Sequence, residues 1–297
     1  MEQQLLNALV LASIYVLFSL GMTLAWGVLG ILNLAHGAIL VGSAYSVYLI
    51  GDDRQMPLGV VLALGLLVGG GCSLLLEIGV FRIIRNSTGD EEEKELRVAI
   101  ASLGASSILV AIVAKGTANA PFAVPTSFTT HVYDVFGLRI SDLQILIIVA
   151  GMGISLGLSR WLKLSRTGRA IRAVAADPET ASLMGINERR LAAGTMFAAG
   201  AMAGLAGVFL VVYLGGADPQ SGASLLTTAF AIIVAGGVGS IGGTVLGALT
   251  LALVETLILT YTSGSWAPAA AFVLIILVIV IRPQGLFSSS RTKVDRA

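Results

Sequence analysis

Residues 5–26 read LLNALVLASIYVLFSLGMTLAW, an apolar run of the length that crosses a bilayer as a helix. About 20 apolar residues suffice to span the roughly 30 Å hydrocarbon core, and runs of this kind recur along the chain. The sequence therefore predicts an all-α, polytopic membrane helix bundle with about 8–10 transmembrane or partly broken helices. The predicted spans are Leu5–Trp26, Gly27–Ile50, Pro57–Phe81, Val98–Lys115, Leu143–Leu162, Leu191–Leu214, Leu225–Leu249, Thr250–Thr262 and Trp266–Ile281.

The composition agrees with a membrane protein. Hydrophobic residues make up 56% of the 297 residues and charged residues only 12%, about half the share of a soluble domain. Cys72 is the sole cysteine, so one chain cannot build a disulfide framework or a thiolate metal cluster. The net charge of +1 gives no indication of a nucleic-acid partner.

Basic residues predict which loops face the cytoplasm. Four lie in Arg82–Arg97, seven in Arg160–Arg190 and four in the tail from Arg282, together 15 of the 18 Lys and Arg residues. These segments are expected to be cytoplasmic, and the loops near Asp52, Pro121 and Asp218 external. We predict one permease domain over residues 1–297, with a cytoplasmic loop 163–190, an external loop 116–142 and a cytoplasmic tail 283–297. In the external loop, His131–Ile140 is expected to form a hairpin that turns near Phe136-Gly137.

The cytoplasmic stretch Thr167–Asn187, TGRAIRAVAADPETASLMGIN, contains a capped helix. Asp177 is a good N-cap, Pro178 fits the first helical position, and Glu179 favours the positive end of the helix dipole. Gly185 ends the helix because glycine accepts the left-handed conformation. Such a short helix has little role in packing the spans, which indicates that it is presented to a soluble partner.

Glycine follows two patterns in the apolar runs. Pairs four residues apart predict close helix packing, and these are Gly65/Gly69, Gly153/Gly157, Gly200/Gly204, Gly239/Gly243 and Gly243/Gly247. Two longer segments, Gly27–Gly42 and Ala235–Leu249, are glycine-interrupted and lie one in each half of the chain. Paired weak helices of this kind predict broken helices that line a central path.

Four polar residues within the predicted spans are candidates for a specific role. Asn33 and His36 lie three residues apart, and they either hydrogen-bond between helices or line a pathway. Glu77 is placed to extend toward the cytoplasmic boundary. Glu255 is a candidate functional carboxylate or a structural partner of an Arg or Ser.

Several functions are excluded by absent motifs. No phosphate loop is present, because none of the four lysines follows a glycine. With only two histidines and no catalytic or metal-binding motif, we predict a non-catalytic subunit without a cofactor or metal. No string of buried ionisable residues suggests a proton relay.

Four motifs in order, Asn33–Gly37 (NLAHG), Thr167–Asn187, Gly236–Gly243 (GGVGSIGG) and Arg282–Phe287 (RPQGLF), resemble the permease subunits of the branched-chain amino acid class of ABC importers, which includes urea and amide permeases. The resemblance covers nearly the whole chain. It implies a fold related to the large, cobalamin-type importers. One departure is Ala38, which stands where many members have Glu directly after the His-Gly pair.

The resemblance also implies partners and a location. The partners are two cytoplasmic ATPase subunits, a second homologous permease or a second copy of this chain, and an external solute-binding protein. The expected location is the plasma (inner) membrane of a prokaryote. The expected cargo is branched-chain or related amino acids, with urea or short amides next. A passive channel or secondary transporter is the alternative, and a non-transporting subunit of a larger complex is third.

Two sets of site residues follow from these arguments. The predicted translocation path comprises Asn33, His36, Gly37, Gly236, Gly237, Gly239, Gly242 and Gly243. By resemblance, the segment 175–187 is the coupling helix that docks on the ATPase, with Arg169, Arg172, Asp177, Glu179, Ala181, Leu183, Met184 and Gly185 as the predicted contact residues.

Overall fold

The computed structural model describes residues 1–30, 32–51, 54–135, 137–261 and 267–281. The helices are α1 Glu2–Leu29, α2 His36–Gly51, α3 Leu58–Leu76, α4 Arg82–Arg85, α5 Glu91–Gly116, α6 Asp142–Leu164, α7 Arg166–Ala176, α8 Pro178–Leu183, α9 Glu188–Leu214, α10 Ser221–Gly236, α11 Ile241–Tyr261 and α12 Ala267–Ile281. A π-helical turn, Glu77–Phe81, joins α3 to α4. The predictions at Asp52, Phe136 and the tail 283–297 lie outside the described residues.

Within these ranges, six helical segments are long and apolar enough to cross a membrane. They are Glu2–Leu29, Leu58–Arg85, Glu92–Gly116, Asp142–Leu164, Glu188–Leu214 and Ile241–Tyr261. Two shorter apolar helices are α2 and α10, with 16 residues each. The predicted all-α membrane bundle is confirmed.

Two predicted span boundaries are wrong. The joint placed at Trp26-Gly27 lies later, because α1 continues to Leu29 and ends at Gly30, whose φ is 66°. The single span Leu225–Leu249 is two helices, because Gly237 and Gly239 have φ of 93° and 80° and interrupt the chain after α10. Residues 250–261 of the predicted span Thr250–Thr262 are therefore the second part of α11.

The core is built around α1 and α9. In the spanning windows of these helices, 89% and 72% of the residues are buried, against 17% in α5 and in α6. Helix α11 packs along α1 in the opposite direction, since Thr23 and Thr244 hydroxyls meet at 2.9 Å and Gly27 approaches Gly239.

Helix α3 packs along α9 through glycines. A Cβ on Gly204 would lie 2.0 Å from the Gly65 carbonyl oxygen, and one on Gly69 would lie 2.3 Å from that of Gly200. This close packing confirms the prediction for both glycine pairs. The prediction is wrong for Gly153/Gly157, since a Cβ there would meet no atom within 4 Å.

The two ends of the bundle are chemically different. At one end β1 Val132–Val135 pairs antiparallel with β2 Leu138–Ser141, as predicted, and the Gln3 side-chain amide pairs with the backbone of Arg139. Asp142 raises the pKa of Tyr133 by accepting its hydroxyl hydrogen bond and by its negative charge. We name this end the hairpin face, and the opposite end, which holds α7 and α8, the basic face.

Two helix pairs form an inverted repeat. Helices α1 and α9 have 28 and 27 residues, each ends at a left-handed glycine (Gly30, φ 66°; Gly215, φ 77°), and each is followed by a 16-residue helix. Because α1 runs from the hairpin face to the basic face and α9 runs back, the pairs are related by inversion. Helix α5 packs on α2 as α12 packs on α10, which extends the repeat.

Candidate functional site

Residues 32–35, between α1 and α2, are not helical; Asn33 and Ala35 are buried, and Leu32 and Leu34 are half-buried. Asn33 begins the return to helix, since its Oδ1 accepts from the N–H of Ala35 at 3.0 Å and its carbonyl from that of His36 at 3.2 Å. The N–H of Leu34 donates to the Ser102 hydroxyl of α5 at 3.0 Å. These bonds satisfy backbone groups that an unwound segment in the apolar interior would otherwise leave unpaired.

Both predicted polar residues of this segment are buried inside the subunit. His36 is 1% exposed, its Nε2–H donates to the carbonyl of Phe18 at 3.2 Å, and its ring stacks on that of Phe18 at 4.8 Å. Asn33 is 2% exposed, and its Nδ2 has no hydrogen-bond partner among the described residues. In this conformation these residues connect helices within the subunit.

The second glycine-rich segment forms the break between α10 and α11. Gly236 and Gly243 touch backbone to backbone, since a Cβ on Gly243 would lie 1.9 Å from the Gly236 carbonyl oxygen. Ser240 caps α11, accepting from the N–H of Gly243 at 3.1 Å. Gly237 and Gly239 supply the positive φ that this tight connection requires.

The structure brings the predicted path residues together only in part. Gly239 lies against Gly27, so the two glycine-interrupted segments meet at that point. Gly37 instead packs on the first turn of α10, where a Cβ would lie 2.1 Å from the Gly222 carbonyl oxygen. Gly242 has no neighbour within 4 Å of an added Cβ. A role of these residues in a path remains a prediction.

The counterpart of Gly30–Leu40 is therefore Gly215–Leu225, which the sequence argument missed. The two stretches read GILNLAHGAIL and GGADPQSGASL, 185 residues apart (30 to 215, 37 to 222), with Asn33 matching Asp218 and Gly37 matching Gly222. The Asn33–His36 turn recurs, because the N–H of Ser221 donates to the carbonyl of Asp218 at 3.0 Å. The shared pattern G-x-x-[ND]-x-x-[HS]-G-A-x-L is the signal that identifies the pair.

The outward side of the first two turns of α10 carries two hydroxyl groups among apolar residues. Ala223 and Ser224 are exposed and Thr227 is half-buried, one turn apart along the helix. By contrast, α3 and α6 expose apolar side chains such as Leu75 and Leu156, whose exposed fractions are 70% and 71%. Both α10 hydroxyls donate to backbone carbonyls of their own helix, Ser224 to Ser221 at 2.9 Å and Thr227 to Ala223 at 3.2 Å.

Helices α7 and α8 form the basic face. Ser165 caps α7 by accepting from the N–H of Gly168 at 2.8 Å, and Asp177 caps α8 by accepting from that of Thr180 at 3.2 Å. Gly185 ends α8 with a φ of 82°. The predicted short helix is thus confirmed, although Ala175 and Ala176, at the start of the predicted segment, belong to α7.

The predicted coupling residues divide into an outward and an inward set. Leu183 and Met184 are 86% and 80% exposed. Ala181 is 4% exposed and packs with Ile171 and other side chains of α7 and α9, so its predicted place on a partner-facing surface is wrong. Glu179 has a described backbone, but its side chain lies outside the described part.

The two predicted arginines also differ. Arg169 is exposed and donates to the carbonyl of Leu164 at 3.3 Å, whereas half-buried Arg172 donates to the carbonyl of Leu162. Between α7 and α8 lies an open groove of about 570 Å³. Its lining includes Arg166, Arg169, Ala173, Asp177, Thr180 and Met184.

Both carboxylates inside the spans have partners. Glu255 Oε2 accepts from the Tyr15 hydroxyl at 2.6 Å, which joins α11 to α1, and among the described residues neither an Arg nor a Ser is its partner. Glu77 does not extend to the boundary; it is fully buried and pairs with Arg85 across the π-helical turn. Among the described residues no group of three or more His, Cys, Asp or Glu could hold a metal ion.

Residues 4–281 match the family model of the branched-chain amino acid transport system permease component. The chain belongs to this family. It is 32% identical to the Escherichia coli K12 high-affinity branched-chain amino acid permease protein LivH, over 96% of this chain and 94% of LivH. It is 27% identical to LivM of the same strain, over 95% of this chain and 69% of LivM.

One solved structure overlaps less closely. PsaBC from Streptococcus pneumoniae in complex with Fab aligns with a TM-score of 0.49 and 15% identity, over 95% of this chain and 92% of that chain. Family membership and the apolar helices establish a multi-pass membrane protein that serves as a permease subunit of an ABC importer.

Proposed function

We propose that this chain forms one wall of the path through which an ATP-driven importer carries branched-chain amino acids into the cell. Family membership supports the transport class, and the name of LivH, a relative over nearly the whole chain, supports the cargo. The observation in the structure that supports the path is the pair of outward hydroxyl groups at the start of α10, those of Ser224 and Thr227. Such a wall need not bind the solute tightly, because an external binding protein supplies the affinity.

The predicted path residues have a supporting role in this proposal. The Gly37–Gly222 contact fixes where α2 and α10 cross, and the glycines from Gly236 to Gly243 turn α10 into α11. Asn33 and His36 hold the unwound chain behind α2. These residues set the position of α10 without facing the solute in this conformation.

A second permease completes the path by packing against α5. The exposed side of α5 presents Gly104, Ser107 and Ala111 at helical spacing. Small residues at this spacing let helices approach closely in a membrane, as Gly65 and Gly204 do inside this subunit. The similarity to LivM as well as to LivH supports a distinct but homologous partner chain.

The basic face is the cytoplasmic side, and it docks an ATPase subunit. Leu183 and Met184 project from α8 beside the groove, and Arg166 and Arg169 lie at its edge. An apolar tip with flanking cations fits a pocket lined by apolar and acidic residues. The hairpin face is then external and receives the solute-binding protein.

The docking proposal is tested by truncating the exposed tip. Leu183→Ala is expected to weaken ATPase association about tenfold or more, equal to 1.4 kcal/mol, and to lower ATP-driven uptake. Val132→Ala is the matched control, because Val132 is 61% exposed on the opposite face. Equal ATPase retention by both variants in detergent pull-down would contradict the docking site.

The transport proposal is tested by reconstituting this chain in liposomes with its ATPase, second permease and binding protein. Labelled leucine is expected to enter only with ATP, and an ATPase variant that cannot hydrolyse ATP should abolish uptake. Uptake without ATP, or uptake that follows an imposed proton gradient, would favour a channel or secondary transporter. If urea or acetamide competed with labelled leucine more strongly than valine did, the cargo would be urea or short amides instead of branched-chain amino acids.

A further inference from the structure

A cavity of about 380 Å³ lies on the basic face where α7 and α9 begin, and we name it the α7–α9 cavity. Its lining includes Arg166 and Thr167 of α7 together with Asn187, Arg190 and Leu191 at the start of α9. Small-molecule sites have volumes of about 300–1,000 Å³. Leu191 is a buried residue of the spanning helix α9, and it lines this cavity but not the groove between α7 and α8. The cavity is therefore the nearer of the two to the membrane.

The α7–α9 cavity carries positive charge that the subunit does not neutralise. The guanidinium groups of Arg166 and Arg190 come from different helices, and neither makes an ion pair or a hydrogen bond among the described residues. The Thr167 hydroxyl likewise has no partner in the described part of the chain. One carboxylate, that of half-buried Glu188, lies in the first turn of α9, but residues 160–190 contain seven Lys and Arg against three carboxylates. The positive end of the α9 dipole adds to this field, so the cavity attracts an anion.

Apolar surface borders the cavity on the side of α6. Near the end of this helix, Trp161 is 44% exposed and Leu164 is 62% exposed. Tryptophan is enriched where a membrane meets water, which places the bilayer boundary at this level. Helix α7 folds back against the end of α6, since a Cβ on Gly168 would lie 2.2 Å from the Leu162 carbonyl oxygen. The chain therefore joins a surface suited to acyl chains with a cationic cavity at the membrane boundary.

We propose that the α7–α9 cavity binds the phosphate headgroup of an anionic phospholipid, whose acyl chains lie along the end of α6. Arg166 and Arg190 donate to the phosphate oxygens, because a guanidinium fork matches their geometry, and the Thr167 hydroxyl supplies a further donor. Basic pockets between membrane helices recognise anionic headgroups in this way. A zwitterionic lipid binds less well, because its own cationic group is repelled by the two arginines. A phosphate held by both helices links α7 to α9 and stabilises the segment that carries α8.

The experiment titrates the purified full chain in detergent with phosphatidylglycerol or phosphatidylcholine, and measures bound lipid by native mass spectrometry and the rise in melting temperature. We expect tighter binding of phosphatidylglycerol, and about a fivefold or greater loss of affinity in Arg190→Gln, the share of one cation near an anionic surface. Arg190→Lys should keep most of the affinity because it keeps the charge.

The matched control is Arg97→Gln. Arg97 is exposed at the same end of the bundle, since its neighbour Val98 packs with Ala25 near the end of α1, but its guanidinium pairs with Glu93 at 2.8 Å. This variant should bind phosphatidylglycerol as the unaltered protein does. Without lipid, the melting temperatures of Arg190→Gln and Arg190→Lys should equal that of the unaltered protein.

Several outcomes would overturn the lipid site, and none of them depends on transport. These are equal affinity for the two lipids, or an affinity of Arg190→Gln for phosphatidylglycerol within about twofold of the unaltered protein. Equal stabilisation by glycerol 3-phosphate, which lacks acyl chains, would show a site for a small soluble anion instead. If Arg190→Gln lost ATPase retention but kept its lipid affinity, the cavity would belong to the ATPase interface. If Arg190→Gln melts lower without lipid, Arg166→Gln repeats the titration, and an unchanged affinity there would equally refute the site.

Discussion

Alanine at Gly37 is expected to separate the two half-helices at the centre of the repeat. The added Cβ would lie 2.1 Å from the carbonyl oxygen of Gly222 and 2.8 Å from its carbon, whereas ordinary contact begins at 3.4 Å. The shortfall of about 1.3 Å falls on backbone atoms, which no rotamer change can relieve. Overpacking of this kind costs about 1–3 kcal/mol, which lowers the melting temperature by about 2–10 °C for a chain of this size.

The reciprocal variant, Gly222→Ala, meets the Gly37 carbonyl oxygen at 2.2 Å and should behave alike. The double variant should lose less than the sum of the two, because the first substitution already separates the helices. Gly42→Ala is the matched control in α2: nothing lies within 4 Å of its Cβ, so stability should stay equal or rise by up to about 1 kcal/mol.

The assay is thermal unfolding of the purified subunit in detergent, together with ATP-driven uptake in liposomes. Uptake should fall in Gly37→Ala, since α10 carries the proposed path wall. Unchanged melting temperature and uptake in both Gly37→Ala and Gly222→Ala would refute the close helix crossing on which the repeat depends.

Two buried pairs give further predictions. Tyr15→Phe removes the 2.6 Å hydrogen bond to Glu255 and should destabilise the α1–α11 contact by about 1–2 kcal/mol, measured by thermal unfolding. The double variant Tyr15→Phe/Glu255→Gln should regain part of this loss. An unchanged melting temperature in Tyr15→Phe would contradict the bond. Arg85→Ala leaves the fully buried Glu77 without its cation and should cost about 3 kcal/mol. Glu77→Ala/Arg85→Ala should cost less, and equal losses in the single and double variants would argue against the pair.

The sequence determined the elements that depend on local chemistry. Apolar runs long enough for a bilayer fixed the helical class, and Asp177, Pro178 and Gly185 fixed the start and end of α8 through capping and backbone conformation. The hairpin before α6 was likewise predictable from its alternating residues and from Gly137.

Tertiary structure decided where each polar residue lies and what it meets. Ala181 and Leu183 are two residues apart in one short helix, yet one is buried against α7 and α9 and the other is exposed, because only docking of α8 selects its inner side. His36 turned inward to Phe18 because the chain after Gly30 folds back along α1.

The repeat shows the same division most clearly. The pattern shared by Gly30–Leu40 and Gly215–Leu225 was present in the sequence, but the turns it encodes are local and do not state which segments meet. Only packing of α2 on α10 brings Gly37 against Gly222 and leaves Asn33 buried while Asp218 is exposed. Burial depends on the neighbours that the whole chain supplies, and the sequence around either residue does not contain them.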